Sequence, residues 1–213
     1  MKLNPNRTAL LVIDMQGGFI DPASPTCIPT ARATIPACAA VQDKARALGI
    51  PVFFIIRKYA PDGTDVEFTR YGAWKQGGKP CSVESGPIGW AMPEEFRVLP
   101  GDTVLYKPRY SAFFQTNLDG LLRRRGIDTV VITGTTVPNC IRATVFDAIS
   151  LDYNTVLLED CCSSVTEEIQ RVNMDCMAAI GAVVSDSAAF LEERLELPVT
   201  IEQVRQEIRQ ERS

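Results

Sequence analysis

The chain of 213 residues contains no histidine. That absence removes every Ser-His-Asp or Cys-His mechanism, every histidine-ligated zinc or iron site, and the usual proton shuttle near neutral pH. Acid–base work is left to carboxylates, lysine and cysteine. There is also no apolar run of roughly 18 residues, the length a membrane-crossing helix needs. Basic residues are not in excess: the net charge is −4 and the isoelectric point about 5.0, which speaks against a nucleic acid or an anionic membrane as partner. The seven cysteines, at 27, 38, 81, 140, 161, 162 and 176, are odd in number and lack CxxC spacing. Neither a disulfide framework nor a structural zinc site is expected, and a reducing compartment, the cytoplasm, fits best. The opening MKLNPNRTALLVIDMQ runs into Asp and Gln rather than a small-residue cleavage site, so it is not read as a signal peptide.

What is present is a globular balance, 46% apolar and 23% charged, enough for one hydrophobic core over residues 1–213. Strands are expected at Ala9–Asp14, Pro51–Ile56, Thr103–Tyr106, Thr129–Thr133, Asn154–Leu158 and Ala182–Val184, where β-branched and apolar residues run together. Helical spacing between them marks about Thr34–Leu48, ended by Gly49, Asn117–Arg125, ended by Gly126, Pro138–Ser150 and Thr166–Ile180. This alternation with short connections predicts βαβ units, hence an α/β fold with a parallel sheet covered by helices on both faces.

Two stretches fall outside the alternation. Residues 58–100, rich in proline and glycine and carrying Tyr71, Trp74 and Trp90, read as a lid or an interface excursion, because long irregular segments in compact domains are usually functional. Residues 200–213 space Ile201, Val204 and Ile208 helically and read as a terminal helix docked on its own domain, the alternative being contact with another subunit.

In open parallel sheets ligands bind beyond the carboxyl ends of the strands. Asp14 ends the first expected strand, Lys107 follows the third, and the loop GTTVPNC, ending at Cys140, follows the fourth. Each has a plain alternative: a capping carboxylate, a solvated lysine, a buried thiol packed as a small hydrophobe. Together they make a chemical set. Pro138 suits the first turn of a helix, which places Cys140 where free N–H groups and the helix dipole favour a thiolate, and a nearby ammonium lowers its pKa further. Asp14 would take the thiol proton and return it to a leaving group.

ALLVIDMQGGF at the first strand, YKPRYSAF after the third, and VVITGTTVPNCIRATVFDAISLDYNTVLLEDCCSS over the fourth and fifth resemble the isochorismatase-like cysteine hydrolases. The resemblance runs from Leu10 to about Val184. It implies a three-layer α/β/α fold with a six-stranded parallel sheet in the order 3-2-1-4-5-6. It also implies Asp14, Lys107 and Cys140 as catalytic triad, a cis peptide between Thr135 and Thr136, and an oxyanion hole from the N–H groups of Thr136 and Cys140. Nicotinamidases of this family carry an Asp-His-His metal site that a chain without histidine lacks, so no metal is expected. True isochorismatases generally lack the nucleophilic cysteine, and Cys140 therefore points to amide, ureide or carbamoyl C–N hydrolysis with release of ammonia.

Candidate substrate contacts are Phe19, Arg109, Tyr110 and Phe113 beside the triad, with Tyr71 and Trp74 from the irregular segment. The alternatives for Phe19 and Arg109 are core packing and a structural ion pair. Cys161 and Cys162 read as buried structural thiols. With no GxGxxG or GxxxxGK[ST], no nucleotide or other cofactor is expected. The partners expected are a small-molecule substrate and further copies of the chain, as a dimer or tetramer. Two rival functions remain at this level: vinyl-ether hydrolysis with Asp14 as general acid, and a non-catalytic oligomeric binding protein.

Overall fold

The computed structural model describes residues 1–77, 87–199 and 201–212. Cys81 and part of the irregular segment lie outside the described residues. Six strands form one sheet: β1 (Thr8–Ile13), β2 (Val52–Arg57), β3 (Thr103–Lys107), β4 (Thr129–Thr135), β5 (Asn154–Ser163) and β6 (Val183–Ser185). Their order is β3-β2-β1-β4-β5-β6 and every neighbouring pair is parallel. The order reverses at β1, which pairs with β2 on one side and β4 on the other; that is the switch point at which such sheets open a crevice.

The near-continuous apolar run of β1 follows from burial on both faces. Leu11 and Ile13 face a core shared with Phe53, Ile55 and Ile132, while Leu10 and Val12 face a second core with Phe54, Ile56 and Val131. Among the described residues there are nine α-helices. The short α1 (Gly17–Ile20) follows β1, α2 (Ile35–Ala47) follows it in turn, and α3 (Phe68–Lys75) and α4 (Pro87–Trp90) lie between β2 and β3. Then come α5 (Leu118–Arg124), α6 (Arg142–Ser150), α7 (Glu167–Ala179), α8 (Ser187–Leu191) and α9 (Ile201–Glu211). Leu118, Leu122, Val145, Ala148, Met174 and Met177 place α5, α6 and α7 on the first face; Cys38, Val41, Ala45 and Phe190 place α2 and α8 on the second.

The expected elements are all present, with instructive differences. Gly49 and Gly126, at φ +73° and +68°, end α2 and α5 in the left-handed conformation that glycine adopts without a Cβ penalty. β5 runs five residues past Leu158, through the polar Glu159 and Asp160, because it continues beside β4 after a register shift between Ile132 and Gly134. The irregular segment holds short helices, and Tyr59, Val66, Phe19 and Trp74 form a small apolar cluster of its own. The terminal helix forms as expected, over Ile201–Glu211. An Arg7–Glu202 ion pair of 3.6 Å joins α9 to the body, but none of its residues is buried and Val204 and Ile208 stay exposed.

Candidate active site

Asp14 stands directly after β1. Its N–H still donates to Ile55 O at 2.8 Å, but φ is +53° and its carbonyl accepts from Gln16 N, so the chain turns sharply here. Asp is one of the few residues that tolerate this left-handed region. The adjoining strand accommodates the turn through Gly134, opposite Ile13 at φ +116°; a Cβ there would meet Ile13 O at 2.0 Å, so only glycine fits.

Lys107 ends β3, and its ammonium reaches past β2 to Asp14. Nζ donates to Asp14 Oδ2 at 2.8 Å and to the carbonyl of Arg109 at 3.2 Å, with both side chains fully buried. Burying both charges costs desolvation that only close pairing offsets, so neither partner is dispensable. Asp14 Oδ1 is buried and takes no hydrogen bond from a described residue. One oxygen is pinned and the other is free to accept a proton.

Cys140 lies in a π-helical turn, Val137–Ile141, that leads straight into α6, with Pro138 in the first turn and Thr136 as N-cap. The Thr135–Thr136 peptide bond is cis. Thr144, one turn on, donates to Cys140 O at 2.7 Å and accepts from Ala112 N at 3.0 Å, tying the cysteine's turn to the loop after Lys107. The thiol is not the activated thiolate expected from the helix start. Its pKa is pushed up to about 11, first by burial and next by the Asp14 carboxylate, and the opposing influence of Lys107 and Arg57 is smaller. The physical reason is that a side chain 3% exposed has lost the water that would solvate sulfur's charge. At rest the thiol holds its proton beside a carboxylate.

The remaining expected contacts divide. Tyr110 borders this region: its ring lies against the guanidinium groups of Arg57 and Arg70, at 5.0 and 5.3 Å. Arg109 does not face the triad as a free cation; its guanidinium donates to the carbonyls of Asp65 and Pro108, and only its own carbonyl serves Lys107. Phe113 is core, buried against Tyr153 with ring centroids 5.6 Å apart. Phe19 is half-buried between the second core and the small Tyr59 cluster. Trp74 lies over Gly63 and stacks with Tyr71 at 5.6 Å, and the structure does not bring either to the triad. Cys161 and Cys162 are buried. A cleft of about 470 Å³ is bordered by Thr30, Asp160, Cys162, Glu167 and Met174 and lies away from the triad.

Sequence reasoning missed Arg57 and Gln16. Arg57, 2% exposed, ends β2 in register with Lys107. Burial works against its charge, yet Cys140, Tyr59 and Glu67 outweigh that and hold the guanidinium protonated. Burial likewise opposes the charge of Glu67, but Arg57 and Tyr59 hold its carboxyl below the usual range. A metal site of the Asp-His-His kind does not fit these residues: the chain has no histidine, and among the described residues no three His, Cys, Asp or Glu side chains gather to hold an ion.

Comparison with known proteins places this geometry among relatives. The family model described as Isochorismatase domain matches residues 8–189. A protein of Arabidopsis thaliana named a probable inactive nicotinamidase is 38% identical over 179 residues, covering 82% of this chain and 89% of that one. The ureidoacrylate amidohydrolase RutB of Agrobacterium fabrum is 32% identical over 180 residues, covering 74% of this chain and 76% of its own. The crystal structure of a protein from Desulfovibrio vulgaris, titled an isochorismatase family protein, superposes with a TM-score of 0.81 at 40% identity, covering 86% of this chain and 95% of that one.

Proposed function

The chain belongs to the isochorismatase family, and from that premise we propose that it is a cysteine hydrolase that cleaves the C–N bond of a small amide, ureide or carbamoyl compound and releases ammonia. The observation that carries this reading is the divided carboxylate of Asp14: Oδ2 is pinned by Lys107 and Oδ1 is left free, beside a Cys140 that still holds its proton. RutB, by its name an amidohydrolase, supports the reaction class.

The reaction runs in two halves. Asp14 accepts the Cys140 proton as sulfur attacks the substrate carbonyl carbon, so the C–S bond forms without a free thiolate ever accumulating. The carbonyl electrons move to oxygen, and the N–H groups of Thr136 and Cys140 hold the oxyanion. Protonated Asp14 then gives its proton to the substrate nitrogen, the C–N bond breaks, and ammonia leaves a thioester. In the second half Asp14 takes a proton from water, hydroxide adds to the thioester, and the C–S bond breaks as the proton returns to sulfur. Lys107 keeps Asp14 oriented and balances its charge in both halves. No step needs a metal.

Ammonia release across a panel of small amides, ureides and N-carbamoyl amino acids tests the reading, with Cys140→Ala as control. Release from at least one class, abolished by the substitution, is expected. Turnover that survives Cys140→Ala would instead favour chemistry through Asp14 alone, as in vinyl-ether hydrolysis. No ammonia from any member, with a folded protein, would favour the non-catalytic alternative. Nicotinamide is not among the substrates proposed. A homo-oligomer completes the reading, supported by the apolar Val204 and Ile208 left uncovered on α9; light scattering at micromolar concentration should return a multiple of 23.4 kDa.

A further inference from the structure

The carboxyl end of the sheet is closed by hydrogen bonds of its own. Arg57 N–H donates to Gln16 Oε1 at 2.7 Å, and Gln16 Nε2 donates to Arg57 O at 2.9 Å and to Gly89 O at 2.8 Å. The opposite end carries α9, whose packing is incomplete. The chain enters α9 from a fixed point: Leu197 is buried, its N–H donates to Met1 O at 2.7 Å, and its carbonyl accepts from the N-terminal ammonium at 2.8 Å. Glu202, in the first turn, pairs with Arg7, the residue before β1. The helix therefore starts at the amino ends of the strands, away from the triad. An 11-residue helix with no buried residue lacks what usually sustains one of that length, because isolated helices shorter than about 12–15 residues are marginal in water.

The sequence of α9 supplies a face to be covered. Ile201, Val204 and Ile208 are spaced three and four apart, the a, d, a pattern of a two-stranded seam, with isoleucine at both a positions; Glu211, the next d, ends it. Glu202 lies roughly 130° round the helix from that seam. So α9 meets its own body with a polar side and turns its apolar stripe outward. The charges beside the stripe choose its occupant. Glu202, Glu207 and Glu211 balance Arg205, Arg209 and Arg212, which leaves no polybasic flank to draw the stripe to an anionic membrane. Glu207 holds the g position, and Arg205 and Arg212 hold e positions. In a parallel pair of α9 helices, g faces the other helix's e five residues on, so Glu207 of one copy meets Arg212 of the other while each apolar residue meets its own counterpart. In an antiparallel pair Arg205 meets Arg212, Glu207 meets Glu207 and Ile201 meets Glu211. Opposite charges meet only in the parallel arrangement.

We propose that the occupant is α9 of a second copy of this chain, and that two copies pair through parallel α9 helices, with their bodies on the outer sides of the seam and both triads at the far ends of the sheets. This rests on the homo-oligomer reading and names its contact; it does not depend on the reaction. A seam of one and a half heptads buries well under the roughly 800 Å² per partner of a standard stable interface, so the pairing is reversible, on the micromolar scale.

Sedimentation velocity of the whole chain over about 1–200 µM tests it. The native protein should associate reversibly. Ile208→Asp puts a carboxylate from each copy into the seam and should weaken association at least about 30-fold, halving the mass where the native protein is paired. The position is exposed, so the circular dichroism of the fold should not change. Arg212→Glu reads the direction of the helices. A parallel pair should weaken about 3- to 10-fold, because Glu207 then faces a carboxylate, and adding Glu207→Arg should restore it. An antiparallel pair would instead tighten, since the new carboxylate would meet Arg205. Association that Ile208→Asp leaves unchanged overturns the role of α9 while the homo-oligomer reading stands. Tightening by Arg212→Glu overturns the parallel pairing. A native protein that stays monomeric throughout overturns both, and its flotation with phosphatidylserine vesicles, lost in Ile208→Asp, would give the stripe to a membrane.

Discussion

Two groups of buried thiols lie in the same α/β framework, and they differ in their neighbours. Cys140 stands beside Asp14, Lys107 and Arg57. Cys161 and Cys162, on β5, neighbour Cys38 of α2, whose Sγ donates to Cys161 O at 3.2 Å, and the Cys162 Sγ faces Ile132 O at 3.8 Å. All three of Cys140, Cys161 and Cys162 have pKa values raised. For Cys161 its side-chain hydrogen bond with Cys38 leads and burial follows; for Cys162 burial leads. Burial is common to all three and does not by itself distinguish them. Under the proposed reading, what separates Cys140 from filler is a carboxylate with one free oxygen to take the proton, together with cations to stabilise what forms.

The largest effect should come from exchanging the two groups' fates. Cys140→Ala should lower ammonia release by about 10⁴-fold or more with the fold retained. Cys161→Ala should leave the rate within about 3-fold while costing about 1–2 kcal/mol of stability. Steady-state kinetics and urea denaturation read both, and a Cys161 variant as dead as the Cys140 variant would break the distinction.

Next comes the carboxylate's partner. Lys107→Met should abolish most activity and cost about 3–5 kcal/mol, because it leaves the Asp14 charge buried and unpaired. A melting curve unchanged from the native protein would mean that Asp14 is not held as described.

Thiol labelling gives a smaller but sharper contrast. With its pKa near 11, only roughly one Cys140 in a thousand is ionised at pH 8, and the reactive fraction rises about tenfold per pH unit up to that value. Iodoacetamide should therefore label the exposed Cys176 and the half-buried Cys27 ahead of Cys140, whose rate still climbs between pH 8 and 10, and leave Cys161 and Cys162 unmodified. A Cys140 rate that levels off near pH 8 would show an activated thiolate instead. The smallest effect is none at all: exhaustive chelation should leave turnover within about 2-fold, and loss of activity restored by a divalent ion would bring metal chemistry back.

The strand ends were legible because their chemistry is local. An apolar run followed by Asp14, another followed by Lys107, and a Gly-Thr-Thr loop leading to Pro138 and Cys140 each show in a short window of sequence. Arg57 was missed for an equally local reason. Ending β2 at Ile56 left the next residue as loop, although a cation directly after a buried parallel strand sits on the same edge as Lys107. Phe113 misled in the opposite direction, since three residues past Tyr110 the chain has already turned back into the core. Thr144 and Gln16 carried no signal of their own, because a polar residue that bridges two loops looks like any other until both loops are placed.

By itself, then, the sequence determined the alternation of strands and helices, through the period of its apolar residues, and ruled out imidazole chemistry by composition. It also nominated the three residues of the triad. The ionisation of that triad was decided only in three dimensions. Asp14 and Lys107 are 93 residues apart, and the proton on Cys140 is held by burial and by the carboxylate that folding brings to it. A pKa depends on the water removed and the charges gathered around a group, and both are properties of segments that meet only when the sheet has formed.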